Sequence, residues 1–283
     1  MQGKTVVITG GTSGVGLEAA SVLAGRGASL ILVGRDLGRG AAAVDRLAKT
    51  GPAPRFLSAD LSSLAEVRRL AGEILDIAPR IDVLINNAGA WNETRRVTAE
   101  GPEQSFATNH LAYFLLTILL LDRLRESAPS RVVSVASMAH RGVRLDFDDL
   151  QMARRYKGWT AYRRSKLANI LFTRELARRL EGSGVTANCL HPGFVATRFG
   201  DNNDTFFGHA FGLLKRAVAI TPAQGAETIL YLAASLEAAS FNGRYFADSR
   251  PATPSSAGRN DAAARRLWEE SAKLCEGKKV GEA

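Results

Sequence analysis

The sequence predicts an open, doubly wound parallel α/β sheet of about seven strands, folded as one domain. Three observations carry this expectation. A short β-branched run leads straight into a glycine-rich turn and a helix; strand and helix segments then alternate with short connections; and the strands are apolar along their length, as strands covered on both faces are. With 283 residues the chain can enclose one large core, and 46% hydrophobic and 23% charged residues signal neither disorder nor membrane residence.

Thr5, Val6, Val7 and Ile8 form the first strand, and residues 17–23 carry apolar side chains at helical spacing. A second strand at 30–33 ends at Gly34, and a second helix at 41–47 is closed by Gly51 and Pro52. A third strand follows at 55–57, then a helix capped by Ser62 or Ser63 and running to Ile77, then a fourth strand at 81–85. Residues 103–124 read as one long helix, 132–135 as the fifth strand, 161–180 as a helix, 185–190 as the sixth strand and 243–246 as the seventh. Two excursions interrupt this alternation, 141–159 and 199–220. Both follow strands, where an open α/β sheet places its ligands, so both are candidate substrate walls. The expected organisation is one main domain over 1–248, with a lid at 199–220, and a C-terminal extension over 249–283. The extension's amphipathic helix, 262–274, packs back on the domain.

Composition excludes several function classes. The net charge is +9, but the basic residues are scattered as pairs such as Arg68-Arg69, Arg154-Arg155 and Arg178-Arg179, with no interleaved aromatics, so a nucleic-acid partner is not expected. Cys189 and Cys275 have no metal-ligand spacing, and neither do His110, His140 and His209, so no metal is assigned. The apolar run 111–121 is too short to cross a bilayer. Met1 leads directly into the first strand without a secretory signal, and a cytoplasmic protein with no membrane partner is expected.

The first turn reads Thr9-Gly10-Gly11-Thr12-Ser13-Gly14-Val15-Gly16. Glycine serves where φ is positive or where the backbone approaches a pyrophosphate, and the following helix N-terminus supplies oriented N–H groups. Gly10, Thr12, Ser13, Gly14, Val15 and Gly16 are therefore candidate dinucleotide contacts in a Rossmann-type fold. Further along, Tyr162 and Lys166 stand at i and i+4, on one face of a helix. A free tyrosine titrates near about pH 10, too high for acid–base work at neutrality, and a neighbouring ammonium would lower that value. On pattern alone such a pair is usually a surface contact; its position after the fifth strand, together with Ser137 in Val135-Ala136-Ser137 and Asn109 in Thr108-Asn109-His110, reverses that expectation.

With its TGxxxGxG turn, Asn86-Asn87-Ala88-Gly89 after the fourth strand, Ser137 after the fifth and the Tyr162/Lys166 pair, the chain resembles the short-chain dehydrogenases/reductases. It is most similar to their retinol dehydrogenase and WW-domain oxidoreductase-like branch, through Asn109-His110-Leu111, Ser165-Lys166-Leu167-Ala168-Asn169, His191-Pro192-Gly193 and Arg265-Arg266-Leu267-Trp268. The resemblance implies a catalytic set of Asn109, Ser137, Tyr162 and Lys166: Tyr162 as general acid/base, Ser137 orienting the substrate oxygen, Lys166 on the nicotinamide ribose and Asn109 supporting a water-linked proton route to Lys166. It implies cofactor contacts from Asp60 and Leu61 near the adenine, from Asn87, Ala88 and Gly89 beside the adenosine half, and from Pro192, Gly193, Val195 and Thr197 at the nicotinamide carboxamide. His191 is read as structural.

The cofactor expected is NADP(H), with NAD(H) the less favoured alternative. A NAD site carries a carboxylate at the end of the second strand, whereas this chain has Gly34 there and Arg35 next, a guanidinium suited to a 2′-phosphate, with Arg39 in support. The substrate expected is a carbonyl or alcohol on an apolar, polycyclic or polyketide-like small molecule, reduced or oxidised by hydride transfer, with Phe206, Phe207, Phe211, Leu213 and Leu214 supplying an apolar lid. No hydrophobic anchor precedes Thr5 and no WW domain is present, so retinoid chemistry is not carried over from the resemblance. A homodimer or homotetramer packed through 103–124 and 161–180 is expected, a monomer being compatible with the branch. The alternative function is a redox-silent member of the fold, acting as a binding or regulatory module or using bound NADP(H) for a non-redox step.

Overall fold

β1 (Thr5–Thr9) is an interior strand of an eight-stranded sheet in a computed structural model that describes residues 1–195 and 220–276. β2 (Ser29–Gly34) and β3 (Arg55–Ser58) extend the sheet on one side of it. On the other side stand β4 (Val83–Asn86), β5 (Ser130–Val135), β6 (Val185–Leu190), β7 (Tyr245–Ala247) and β8 (Arg250–Ala252), giving the order β3-β2-β1-β4-β5-β6-β7-β8. All pairings are parallel except β7 with β8. The chain reverses its direction of travel between β1 and β4. Their carboxyl ends therefore open a crevice at a topological switch point, which is where such sheets bind ligands.

Both sheet faces are dry because the strands alternate two apolar sets: Val6 and Ile8 point to one core, Val7 to the other. α1 (Gly14–Gly25), α2 (Leu37–Leu47) and α8 (Pro222–Ala234) cover the first face. α3 (Leu64–Ile77), α5 (Ala112–Leu119) and α7 (Gly158–Arg179) cover the second. Ser63, rather than Ser62, caps α3 by accepting from Glu66 N, while Ser62 donates to Asp60.

The structure departs from the sequence expectation in three places. The stretch 103–124 is not one helix. α4 (Gln104–Phe106), capped by the Glu103 carboxylate, runs into a π-helical segment, Ala107–Leu111, then α5, and a break at Leu120 precedes α6 (Leu121–Glu126). The π segment carries Asn109, and such bulges re-aim a side chain that a regular helix would place elsewhere. α8 was not assigned from the sequence, although Thr221-Pro222-Ala223-Gln224 is a capping box with proline at the first helical position. β8, for which the sequence gives no strand signal, is an antiparallel edge strand, reached through Asp248 and Ser249 at φ 48° and 56°, the left-handed geometry of a tight hairpin.

The C-terminal helix packs back on the domain. α9 (Asp261–Glu276) lies across α5 and α7, the surface on which the sequence reading placed a second subunit. Trp268 stacks on Phe172 at 6.0 Å and meets the Phe114 ring edge-on at 5.0 Å, with the Arg179 guanidinium 4.4 Å over its ring. Ser271 hydrogen-bonds His110 at 2.8 Å. The chain's own amphipathic helix thus covers an apolar face of α5 and α7. Among the described residues no helix is long and apolar enough to cross a membrane. Thr197 and residues 199–219 of the expected lid lie outside the described residues.

Candidate active site

The glycine turn sits at the switch point and is braced from β4. Gly10 and Gly14 adopt φ of +66° and +55°, and a Cβ on Gly16 would lie 2.3 Å from the Gly10 carbonyl oxygen, so each position demands glycine for a reason of its own. Asn87 Nδ2 donates to the carbonyls of Thr9 and Gly10 at 2.9 and 3.2 Å, and Thr9 Oγ1 accepts from the Asn87 and Ala88 amides at 2.9 and 3.1 Å. The Asn87 side chain is therefore a strut of the turn. Ser13, at the N-cap of α1, uses no side-chain oxygen to cap the helix, and the first turn holds no acidic residue. The α1 N–H groups are left for an anion, and the turn fits a dinucleotide pyrophosphate.

At the end of β2, Gly34 faces Thr12: a Cβ there would stand 2.9 Å from Thr12 Oγ1 and 3.1 Å from Thr12 Cγ2. Asp36 caps α2 by accepting from Arg39 N at 2.8 Å and pairs with the Arg39 guanidinium at 3.2 Å. Arg39, expected to support a 2′-phosphate, is drawn to Asp36, and exposed Arg35 stands at the strand end itself. At the end of β3, Asp60 Oδ1 accepts from the Ser62 amide and hydroxyl, while the Leu61 side chain is core and can offer a ligand only its backbone. Val15 is also largely core; with Val195 it packs against Gly225 of α8, which joins the first turn to the Pro192-Gly193 loop. Gly193 N donates to His191 Nδ1 at 3.1 Å, consistent with a structural His191.

Tyr162 and Lys166 lie on the buried face of α7, 8% and 3% exposed. Lys166 Nζ donates to the Val135 carbonyl at the end of β5 at 3.0 Å and stands 5.9 Å from the Tyr162 ring centroid. Burial pulls the Lys166 ammonium down to about 7. The Tyr162 phenol moves opposite to the sequence expectation. Burial pushes it up to about 12, opposed by a hydrogen bond with Ser137, and the Lys166 amine, 5.9 Å from the ring centroid, does not offset the burial. At neutrality Tyr162 therefore holds its proton, the form required of a general acid.

Ser137 begins a 3₁₀ turn, Met138–His140, its hydroxyl oxygen accepting from Ala139 N at 3.1 Å. Asn109 is committed to the backbone: Oδ1 accepts from Ala90 N at 2.7 Å, and Nδ2 donates to Ala90 O at 2.8 Å and to Ser165 Oγ at 2.9 Å. A Cβ on Gly89 would lie 3.3 Å from Lys166 Nζ and 3.5 Å from Asn109 Oδ1, so Gly89 is the gap at which these two groups converge. Tyr113, one turn after Asn109, donates to Ala88 O at 2.7 Å and completes the bracing of the 86–89 segment.

The 141–159 excursion, a candidate substrate wall from the sequence, ends on Trp159, but its stacking on Tyr162 and the part of Trp91 were not anticipated. Trp159 lies three residues before Tyr162 and stacks on it, centroids 5.3 Å apart and planes at 24°, while Trp91 meets Trp159 edge-on at 5.7 Å. Trp159 and Met138 are 42% and 53% exposed, flanking Tyr162 and Ser137 with apolar surface. The i, i+3 spacing of Trp159 and Tyr162 was available in the sequence; nothing there pointed to Trp91. The loops around this wall are latched by the buried Glu103 carboxylate, which receives the Tyr156 hydroxyl at 3.1 Å, while Tyr156 also donates to Asn92 O at 2.9 Å.

The arrangement joins a helix end without a side-chain cap, a buried phenol, a serine hydroxyl and an amine at the carboxyl ends of the strands. Comparison with known proteins agrees. A profile of the short chain dehydrogenases matches residues 4–206. Human retinol dehydrogenase 13 is 42% identical over 279 residues, covering 96% of this chain and 84% of that one. Human retinol dehydrogenase 14 is 43% identical over 286 residues, covering 95% and 85%. A solved structure from Mycobacterium paratuberculosis is similar with a TM-score of 0.79 at 35% identity, covering 98% and 95% of the two chains. RhlG of Pseudomonas aeruginosa, solved in an active-site complex with NADP, has a TM-score of 0.70 at 27% identity, covering 87% and 94%. The chain belongs to the short-chain dehydrogenase/reductase family of nicotinamide-dependent oxidoreductases acting on CH–OH and C=O groups, and stands with its retinol dehydrogenase branch.

Proposed function

We propose that the protein interconverts a carbonyl and an alcohol on an apolar small molecule with NADP(H), in a site formed by Tyr162, Ser137, Lys166 and Trp159. The observation that carries this reading is the buried Tyr162 phenol, set beside Ser137 and covered by the Trp159 ring. The bound nicotinamide supplies or takes up hydride. Tyr162 gives its hydroxyl proton to the carbonyl oxygen in reduction and recovers it in oxidation. Ser137 donates a hydrogen bond to the same oxygen, steadying the charge that develops there. Lys166, in its ammonium form, holds the ribose and stabilises the phenolate left behind. Asn109 keeps the Ala88-Gly89-Ala90 backbone against the Lys166 amine. Trp159, backed by the buried Trp91, and Met138 offer an apolar wall for a ring or conjugated chain, which suits polycyclic and polyketide-like carbonyls as well as retinoids, the relatives being named retinol dehydrogenases.

The preference for NADP(H) over NAD(H) rests on Gly34 and Arg35. A carboxylate-bearing side chain at position 34 would crowd Thr12, and the Arg35 guanidinium suits a 2′-phosphate. Arg35→Ala is expected to weaken NADPH binding by about 10- to 100-fold and NADH binding by less than about 3-fold, the cost of one charge-assisted pair. Titration of each nucleotide by intrinsic fluorescence checks this, and an unchanged NADPH/NADH ratio would overturn it.

The reading as a whole is tested with NADPH and a panel of retinal, a bicyclic ketone, a linear β-diketone and propanal. Turnover of at least one bulky member is expected. Trp159→Ala should raise KM for that member by about 10-fold, with little change for propanal, since only the larger molecule spans the ring. Equal effects on large and small carbonyls would remove Trp159 from the substrate wall.

A further inference from the structure

We propose that His140 is a positioning residue for Ser137, tying the turn that carries this hydroxyl to the segment following β8. The inference rests on the reading of Ser137 given above. His140 is fully buried, and its ring lies between two backbone groups: Nδ1 is 2.7 Å from the Ser137 carbonyl oxygen, and Nε2 is 3.0 Å from the Ser255 amide nitrogen. An amide N–H can only donate, so Nε2 accepts and the ring proton sits on Nδ1, donating to Ser137 O. The neutral ring satisfies both neighbours, and a protonated ring would set an N–H against the Ser255 N–H.

The rest of the turn is clamped in the same manner. Arg163, the residue after Tyr162, donates through Nε to Ala139 O at 3.0 Å and through Nη2 to Arg141 O; Arg141 in turn donates to Thr253 O at 2.9 Å. These bonds hold the ends of the turn, whereas His140 reaches Ser137's own peptide. The Ser137 hydroxyl oxygen is occupied by Ala139 N within that turn, so a shift of the peptide redirects the hydroxyl proton.

The titratable and charged groups around His140 are Arg141 beside it, Tyr245 at 5.2 Å edge-on, and His191 stacked on Tyr245 at 5.9 Å, with Asp248 acting on His191. Burial above all, then the charges of Arg141 and His191, hold His140 below the ordinary histidine range, against the raising effect of its bond to Ser137. As pH falls through that depressed value His140 charges, the Ser255 contact turns repulsive, and kcat for reduction falls. Lys166 acts in the opposite sense, gaining its charge as pH falls through about 7, so it shapes the alkaline limb.

The test compares His140→Phe, which keeps a planar ring and removes both bonds, with His140→Asn, whose amide nitrogen can take the place of Nδ1 toward Ser137 O. Ser137→Ala is the reference. Steady-state kinetics are measured from acid to neutral pH with NADPH and the carbonyl identified above, with NADPH affinity by fluorescence. The chain has four histidines, so ring nitrogen NMR can follow His140 directly. His140→Phe should lower kcat about 10-fold at unchanged NADPH affinity, and His140→Asn should recover most of it. The acid limb should disappear in both and coincide in the wild type with the His140 NMR midpoint. Wild-type kcat and an intact acid limb in His140→Phe would overturn the inference while Ser137→Ala still loses activity. Full activity in Ser137→Ala would bring down the reading beneath it. If His140→Phe does not fold, persistence of the acid limb in His140→Asn is sufficient to reject the proposal.

Discussion

Tyr162→Phe is expected to lower kcat by about 1000-fold while changing NADPH affinity by less than about 3-fold, because a positioned proton donor contributes about 100- to 10,000-fold and the ring itself is retained. The phenol is held near 12 by burial, so in the wild type it carries the proton at any pH used for assay, and the variant cannot compensate through a phenolate. The substitution removes one hydroxyl from a buried position and with it the bond to Ser137. The loss of stability should be about 1 kcal/mol, too little to unfold the chain or to explain the kinetic effect. Single-turnover rates with bound NADPH, read beside a thermal melt, separate the two. Retention of wild-type turnover would show that the proton comes from elsewhere, and Ser137 would be the group to examine next.

Lys166→Met is expected to reduce kcat/KM by about 100-fold or more and, at the same time, to make the protein more stable at neutral and acid pH. The folded-state value of Lys166 is depressed from 10.5 to about 7 by burial, so between these limits the unfolded chain binds more protons than the folded one. Stability then rises with pH across that window and is lost as pH falls through about 7, at up to about 1.4 kcal/mol per pH unit. Methionine fills a similar volume without the charge, so the variant lacks this dependence. It loses the bond to Val135 O, for which Asn169 Nδ2 at 3.4 Å is a partial substitute, an offset of about 1 kcal/mol. Urea unfolding at pH about 6 and about 10 should show the variant's advantage at the lower value and its decline toward the higher. An advantage equal at both would mean that the amine is not desolvated. A residue kept against stability in this way is what a functional amine in a dry crevice requires.

Much of the site was legible in the chain because its signals are local. The glycines of the first turn are dictated by two positive φ angles and one close approach within seven residues, and Tyr162 and Lys166 share a face by helical periodicity alone. The alternation of apolar strands with helices likewise announced the parallel sheet, and seven of its strands fall where the pattern put them, within a residue or two. Local signals also existed for α8, in its capping box, and for Trp159, three residues before Tyr162.

The tertiary structure decided the rest. That Asn87 and Asn109 act on backbone carbonyls and amides depends on which loops β4 and the π-helical segment bring into reach. The α9 helix is amphipathic in sequence, but whether its apolar face meets a second subunit or its own α5 and α7 depends on the path of the chain between β8 and Asp261. The Tyr162 phenol is raised rather than lowered because burial, a property of the whole fold, outweighs an amine one helical turn away. His140 gained its two partners from a strand end and a segment 115 residues further on. Sequence by itself determined the fold class, the glycine turn and the shared helix face of Tyr162 and Lys166, since these follow from periodicity and short-range backbone geometry. The charge states, the aromatic wall and the bracing of the turns follow from burial and long-range contact, which exist only once the sheet has closed.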